Sequence, residues 1–116
     1  MDHSDWKIVQ FLKNCKEAIE NGNFAIVNRK KYKEFLESFD IFIEEPKNII
    51  LTLEPKDYVS GPEIDRNNES DKDIWIFKKK YVLNNGKFIF IYIKFKLIYN
   101  NNKNHVKCIS FHKDEL

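Results

Sequence analysis

With 116 residues, 42% of them apolar and 33% charged, and a formal net charge of +2, the chain has material for one domain and one modest core. That balance excludes wholesale disorder, and the longest apolar run, Phe88 to Ile93, is far too short to cross a bilayer, so no membrane partner is expected. Cys15 and Cys108 lie in unlike contexts, which favours reduced buried thiols over a disulfide scaffold.

The opening Met1-Asp2-His3-Ser4-Asp5 is polar and acidic, so a secretory leader is not expected and the cytoplasm is the expected compartment. The terminal Lys113-Asp114-Glu115-Leu116 spells an ER-retention address but is read as coincidence. From Asp5 to Asn21, Trp6, Val9, Phe11, Leu12, Cys15, Ala18 and Ile19 recur mostly every three or four residues. That spacing predicts an amphipathic helix, with Gly22 as its C-cap. Asn28 suits the cap of a second helix running through Ser38, with Tyr32, Phe35, Leu36 and Phe39 on its apolar side. Glu45-Pro46 suits the opening of a short third helix burying Ile49, Ile50 and Leu53; a strand over 48–53 is the competing reading.

Pro55 to Ser70 holds Gly61-Pro62, several acids and two asparagines, and reads as an ordered turn followed by a mobile loop. The period then changes. Ile74–Leu83, Lys87–Tyr99 and His105–His112 are rich in Ile, Phe, Tyr and Val, separated by Asn84-Asn85-Gly86 and an asparagine-rich turn. The expected architecture is one α+β domain over 1–116: a helical part (1–54), a turn and loop (55–73) and an antiparallel meander (74–112). Two to three N-terminal helices would pack on one face of a three-stranded antiparallel sheet.

Alternation along strands assigns faces. Ile89, Ile91, Ile93, Phe95 and Leu97 form one apolar face, joined by Trp75, Phe77, Ile109 and Phe111. The other face carries Phe88, Phe90, Tyr92, Lys94 and Lys96, with Ile76, Lys78 and Lys80 on one side and Cys108, Ser110 and His112 on the other. Charge is segregated too: residues 40–73 carry four basic and ten acidic side chains, whereas 74–116 carry nine and two. Eight lysines and no acid fall between Lys78 and Lys107. An open face of aromatics, lysines and a histidine suits a polyanion with stackable bases. His112 is the best general acid or base, histidine being the side-chain type suited to both roles; Lys94 and Lys96 suit a phosphate and Tyr92 a hydrogen bond or a stacked base. Asp57 reads as a local cap and Tyr58 as core. His3, His105 and His112 lack metal-ligand spacing, and no glycine loop cradles a phosphate, so no metal and no cofactor are expected.

The order of short motifs adds a resemblance. Leu51-Thr52-Leu53-Glu54-Pro55-Lys56-Asp57-Tyr58 precedes Gly61-Pro62-Glu63 and Asp65; then come Trp75-Ile76-Phe77, Tyr92-Ile93-Lys94 and Cys108-Ile109-Ser110-Phe111-His112. This series resembles the MqsR toxin family over most of the chain. The resemblance implies a RelE-like fold and an endoribonuclease that cuts mRNA without a metal and is neutralised by a cognate antitoxin. In that chemistry a ribose 2′-hydroxyl attacks the adjacent phosphorus, leaving a cyclic phosphate and a free 5′-hydroxyl, and it needs a base, an acid and cationic charge. On this correspondence Tyr92 matches the family's active-site tyrosine, with Lys94 beside it, and His112 stands where other members carry a lysine. The catalytic candidates are therefore Tyr92, Lys94 and His112, and the RNA-binding candidates are Lys78, Lys80, Lys96 and Ser110. Ser60 and Ile76 stand where the family carries an active-site lysine and a glutamine, with Lys78 the substitute cation. The rival expectation is a catalytically inert protein- or RNA-binding module of immunity or adaptor type on the same architecture.

Overall fold

A computed structural model describes residues 5–63 and 73–115. The chain runs α1 (Asp5–Glu20), β1 (Phe24–Ile26), α2 (Lys30–Ser38), α3 (Glu45–Leu51), a 3₁₀ turn (Pro55–Asp57), β2 (Tyr58–Glu63), β3 (Ile74–Val82), β4 (Phe88–Asn100) and β5 (Lys103–Lys113). The fold is α+β. The sheet is larger than expected: five strands in the order β1-β5-β4-β3-β2, antiparallel except for β1, which runs parallel to β5. The second part of the loop expected after Pro55, with Asp65, lies outside the described residues.

Both extra strands are edges that the sequence disguises. Phe24-Ala25-Ile26 is too short for its alternation to register, and β2 contains Gly61-Pro62, which reads as a turn. Proline is tolerated there because an edge strand leaves its outward N–H positions unpaired. The β2 pairing to β3 is irregular on either side of Ser60. Gly61 sits at φ +120°, where an added Cβ would lie 2.7 Å from the Ile74 carbonyl oxygen.

The helices form largely as their spacing predicts. α1 ends in a Schellman arrangement: the Asn23 N–H donates to Ala18 and the Gly22 N–H to Ile19, both at 2.9 Å, with Gly22 at φ +82°. Its buried face is Ile8, Phe11, Leu12, Cys15, Ala18 and Ile19; Trp6 and Val9 are exposed instead. The N-cap of α2 is Arg29, without a side-chain cap, rather than Asn28. The helical reading of the third segment holds, with Pro46 in its first turn.

All three helices contribute to one core against a single face of the sheet. Phe11 stacks on Trp75 at 4.3 Å between centroids, and Tyr32 and Phe35 pack on Phe111. Ile91, Ile93, Phe95, Phe77 and Phe111 are fully buried there, each worth roughly 1.5–3 kcal/mol by removal from water. The β3–β4 loop spans residues 83–87 and turns at Asn84-Asn85-Gly86, with Gly86 at φ +85°. Asn101 and Asn102, both at positive φ, make the two-residue turn between β4 and β5.

One break in alternation matters. Lys94 pairs with Ser110, but Phe95 pairs with Cys108, so Ile109 is an extra residue in β5. This bulge turns Cys108, with Val106, into the helix-side core and takes Ile109 out of it, the reverse of the assignment by simple alternation. Cys15 and Cys108 are free buried thiols, and burial raises the pKa of both. No described helix is long and apolar enough to cross a membrane.

Candidate functional site on the outer sheet face

Directly paired residues in an antiparallel sheet share a face, so register defines the side chains that meet. One rung runs Lys78–Tyr92–His112 across β3, β4 and β5. The next runs Ser60–Ile76–Lys94–Ser110 across four strands. Two residues along a strand separate these rungs by roughly 6.8 Å. The face thus brings Tyr92, Lys94, Ser110, His112 and Lys78 together. Ser60 and Ile76 are each other's register partners beside Lys94.

Tyr92 and His112 stack, with ring centroids 5.2 Å apart and planes 16° from parallel. His112 Nδ1 lies 2.9 Å from the Lys113 carbonyl oxygen. A carbonyl only accepts, so Nδ1 carries a proton in this contact and the neutral ring keeps its lone pair on Nε2. Burial of the Tyr92 phenol raises its pKa above the ordinary 10.0; the carboxylates of Glu63 and Asp114 raise it further and Lys78 opposes them. Tyr92 is therefore a neutral hydrogen-bond donor at physiological pH. Lys94 is half-buried and has no ion-pair partner among the described residues.

Lys78 reaches across the central strand to Asp114, Nζ to Oδ2 3.1 Å, and both side chains are mostly buried. The Asp114 N–H also donates to the Phe90 carbonyl at 2.8 Å, which fixes the carboxylate over this face. Asp114 and Glu63 are the site residues that sequence reading missed. The only pair of acids after the long lysine stretch was the available signal, hidden inside the tetrapeptide read as a coincidental address.

Other candidates fall elsewhere. Lys96 pairs in register with Ile74 and Lys107 on the same face, but it is 1% exposed and is not the surface cation expected. The bulge removes Cys108. Lys80 is exposed, with its ammonium 4.3 Å from the Phe88 ring centroid. Asp57 is a cap: its carboxylate accepts the Glu54 N–H at 2.9 Å and lies 3.4 Å from Lys79, a lysine on the helix-side face. Tyr58 packs partly into the core and its hydroxyl donates to the Gly61 carbonyl. Among the described residues no three His, Cys, Asp or Glu side chains group to hold a metal ion. No family model matches the chain, and neither a curated protein nor a solved structure matches it.

Proposed function

We propose that the chain is an endoribonuclease toxin of the MqsR type, cutting mRNA on the outer sheet face and held in check by a cognate antitoxin. The observation that carries this reading is the stacked Tyr92–His112 pair with Lys94 one rung away. An acceptor nitrogen, a neutral donor and a cation with no ion-pair partner among the described residues converge there, as transfer of phosphorus between two oxygens requires. The motif series from Leu51 to His112 supports the same reading, as does an α+β layout with helices confined to one face, which suits a RelE-like fold.

In this mechanism His112 Nε2 takes the proton of the ribose 2′-hydroxyl. The oxygen attacks the adjacent phosphorus, the bond to the 5′-oxygen breaks, and a 2′,3′-cyclic phosphate forms. The Tyr92 phenol gives its hydrogen bond, and then its proton, to the departing 5′-oxygen. Lys94 offsets the charge gathering on the non-bridging oxygens, and Ser110 beside it is placed to hydrogen-bond the same phosphate. Each acid–base group is worth about 10²–10⁴ in rate.

The second reading, an inert protein- or RNA-binding module, is favoured by one observation: Ser60 and Ile76 bring no charge to the Lys94 rung, and Lys78 is already occupied by Asp114. Induced expression in a bacterial host separates the two. Growth arrest with loss of mRNA, relieved by His112→Ala and by Lys94→Ala, is the expected result. A well-folded parent that leaves growth and RNA intact would make the inert module the better reading.

A further inference from the structure

Beyond Tyr92 the outer face of β4 continues through two more aromatic residues, Phe90 and Phe88, at the next alternate positions. They are 45% and 53% exposed, large fractions for phenylalanines, and they lie at the start of β4, the longest strand and the middle one of the three-stranded meander. Their rings meet edge to face, 5.8 Å between centroids. On β3 their register partners are Lys80 and Val82, the latter also exposed. Helix packing does not explain this surface, because the helices occupy the opposite face.

We propose that Phe88 and Phe90 are a stacking subsite for unpaired bases of single-stranded RNA, adjoining the Tyr92–His112 rung. This inference rests on the RNA-cleaving reading of that rung and names the form of substrate it takes. Three features argue for bases over other occupants. Both rings are exposed and stand edge to face, so the pair leaves flat aromatic surface open to solvent on which an unpaired base can stack. The nearby cations suit a polyanion: Lys80 lies over the Phe88 ring, and Lys94 is beyond Tyr92 on the same face. The apolar strip is also continuous with the candidate site, so a strand whose cleaved phosphate lies by Lys94 and His112 passes its neighbouring bases over Phe90 and Phe88. A base-paired strand cannot use such a subsite, since its base faces are covered by its own neighbours.

The test uses the full chain and a fluorescent single-stranded 2′-O-methyl RNA, which lacks the free 2′-hydroxyl and cannot be cut, compared with the same oligonucleotide in a duplex. Anisotropy is expected to show tighter binding to the single strand. The Phe88→Thr/Phe90→Thr pair, which keeps strand-favouring residues, is expected to weaken that binding by at least about fivefold while leaving its salt dependence unchanged. Phe88→Tyr/Phe90→Tyr, which restores rings, is expected to recover it, and Phe42→Thr, on an exposed aromatic in the α2–α3 turn, to have no effect. Equal binding by the parent and the threonine pair overturns the subsite while leaving RNA recognition standing. Binding to neither RNA form by a folded parent overturns the RNA-cleaving reading and the subsite with it. If the threonine pair binds RNA normally but loses association with a partner protein, the strip is a protein-docking surface and the proposal fails.

Discussion

Replacing Asp114 with asparagine removes one carboxylate from the outer face and leaves its geometry in place. The backbone bond from Asp114 to Phe90 does not involve the side chain, and the asparagine amide oxygen still accepts from Lys78. Stability should fall by about 1–3 kcal/mol, because a mostly buried, charge-assisted contact becomes one to a neutral acceptor. The electrostatic effect falls on RNA binding. Lys78, now 3.1 Å from a carboxylate, becomes available to a phosphate. One additional phosphate contact steepens the salt dependence for a single strand by about 0.7 in log affinity against log salt, or roughly a fivefold gain at 0.1 M salt. Anisotropy against the uncleavable single strand over a salt series reads both quantities. The Tyr92 titration gives an independent check: without the Asp114 charge its pKa falls towards 10, while burial and Glu63 keep it raised. Unchanged or weaker RNA binding, with no change in slope, would refute the idea that Asp114 competes with phosphate for Lys78.

Other expected outcomes concern the frame that holds the site. Gly61→Ala should cost about 2–5 kcal/mol in urea unfolding, because φ is +120° and the new Cβ would meet the Ile74 oxygen at 2.7 Å and the Trp75 Cα at 2.9 Å. A loss under about 0.5 kcal/mol would mean that β2 does not approach β3 so closely. The Tyr32 hydroxyl is buried without a hydrogen-bond partner among the described residues, so Tyr32→Phe should be neutral or stabilise by up to about 2 kcal/mol. A clear destabilisation would reveal a partner for that hydroxyl. Both thiols ionise at an ordinary 9.0 in the unfolded chain but hold their protons when folded. Above pH 9 the unfolded state therefore binds fewer protons, and stability falls with rising pH by about 1.4 kcal/mol per pH unit for each thiol. Cys15→Ala/Cys108→Ala should flatten that slope, as followed by urea unfolding between pH 8 and 11.

The sequence carries much of this fold in patterns of one period. The α1 spacing, the Asn-Gly turn and the alternation in β4 are local signals, and each corresponds to an observed element. What it conceals depends on pairing across the chain. β1 has three residues and acquires its identity from the parallel partner β5, while β2 is an edge whose Gly61-Pro62 has the chemistry of a turn. The Ile109 bulge is a mismatch between two strands, invisible in either alone, and it changed the faces of Cys108 and Ile109 while leaving Ser110, Phe111 and His112 where alternation had them. For the same reason Tyr92, Lys94, Ser110 and His112 could be grouped by parity. Alternation gives a face but not a depth, so it gave no warning that Lys96 is buried or that Asp114 would lie against Lys78.

The central claim is that the Tyr92–Lys94–His112 face cuts RNA by 2′-hydroxyl attack, and the most direct measurement is the chemistry of the product ends. Purified protein is incubated with a single-stranded RNA in excess chelator, and fragments are resolved before and after acid opening of cyclic phosphates and after 5′ labelling by a kinase. Fragments with 2′,3′-cyclic phosphate and free 5′-hydroxyl ends, lost in His112→Ala and strongly reduced in Tyr92→Phe, are the expected result. Intact RNA with a folded parent, or fragments that His112→Ala still produces at the parental rate, would contradict it.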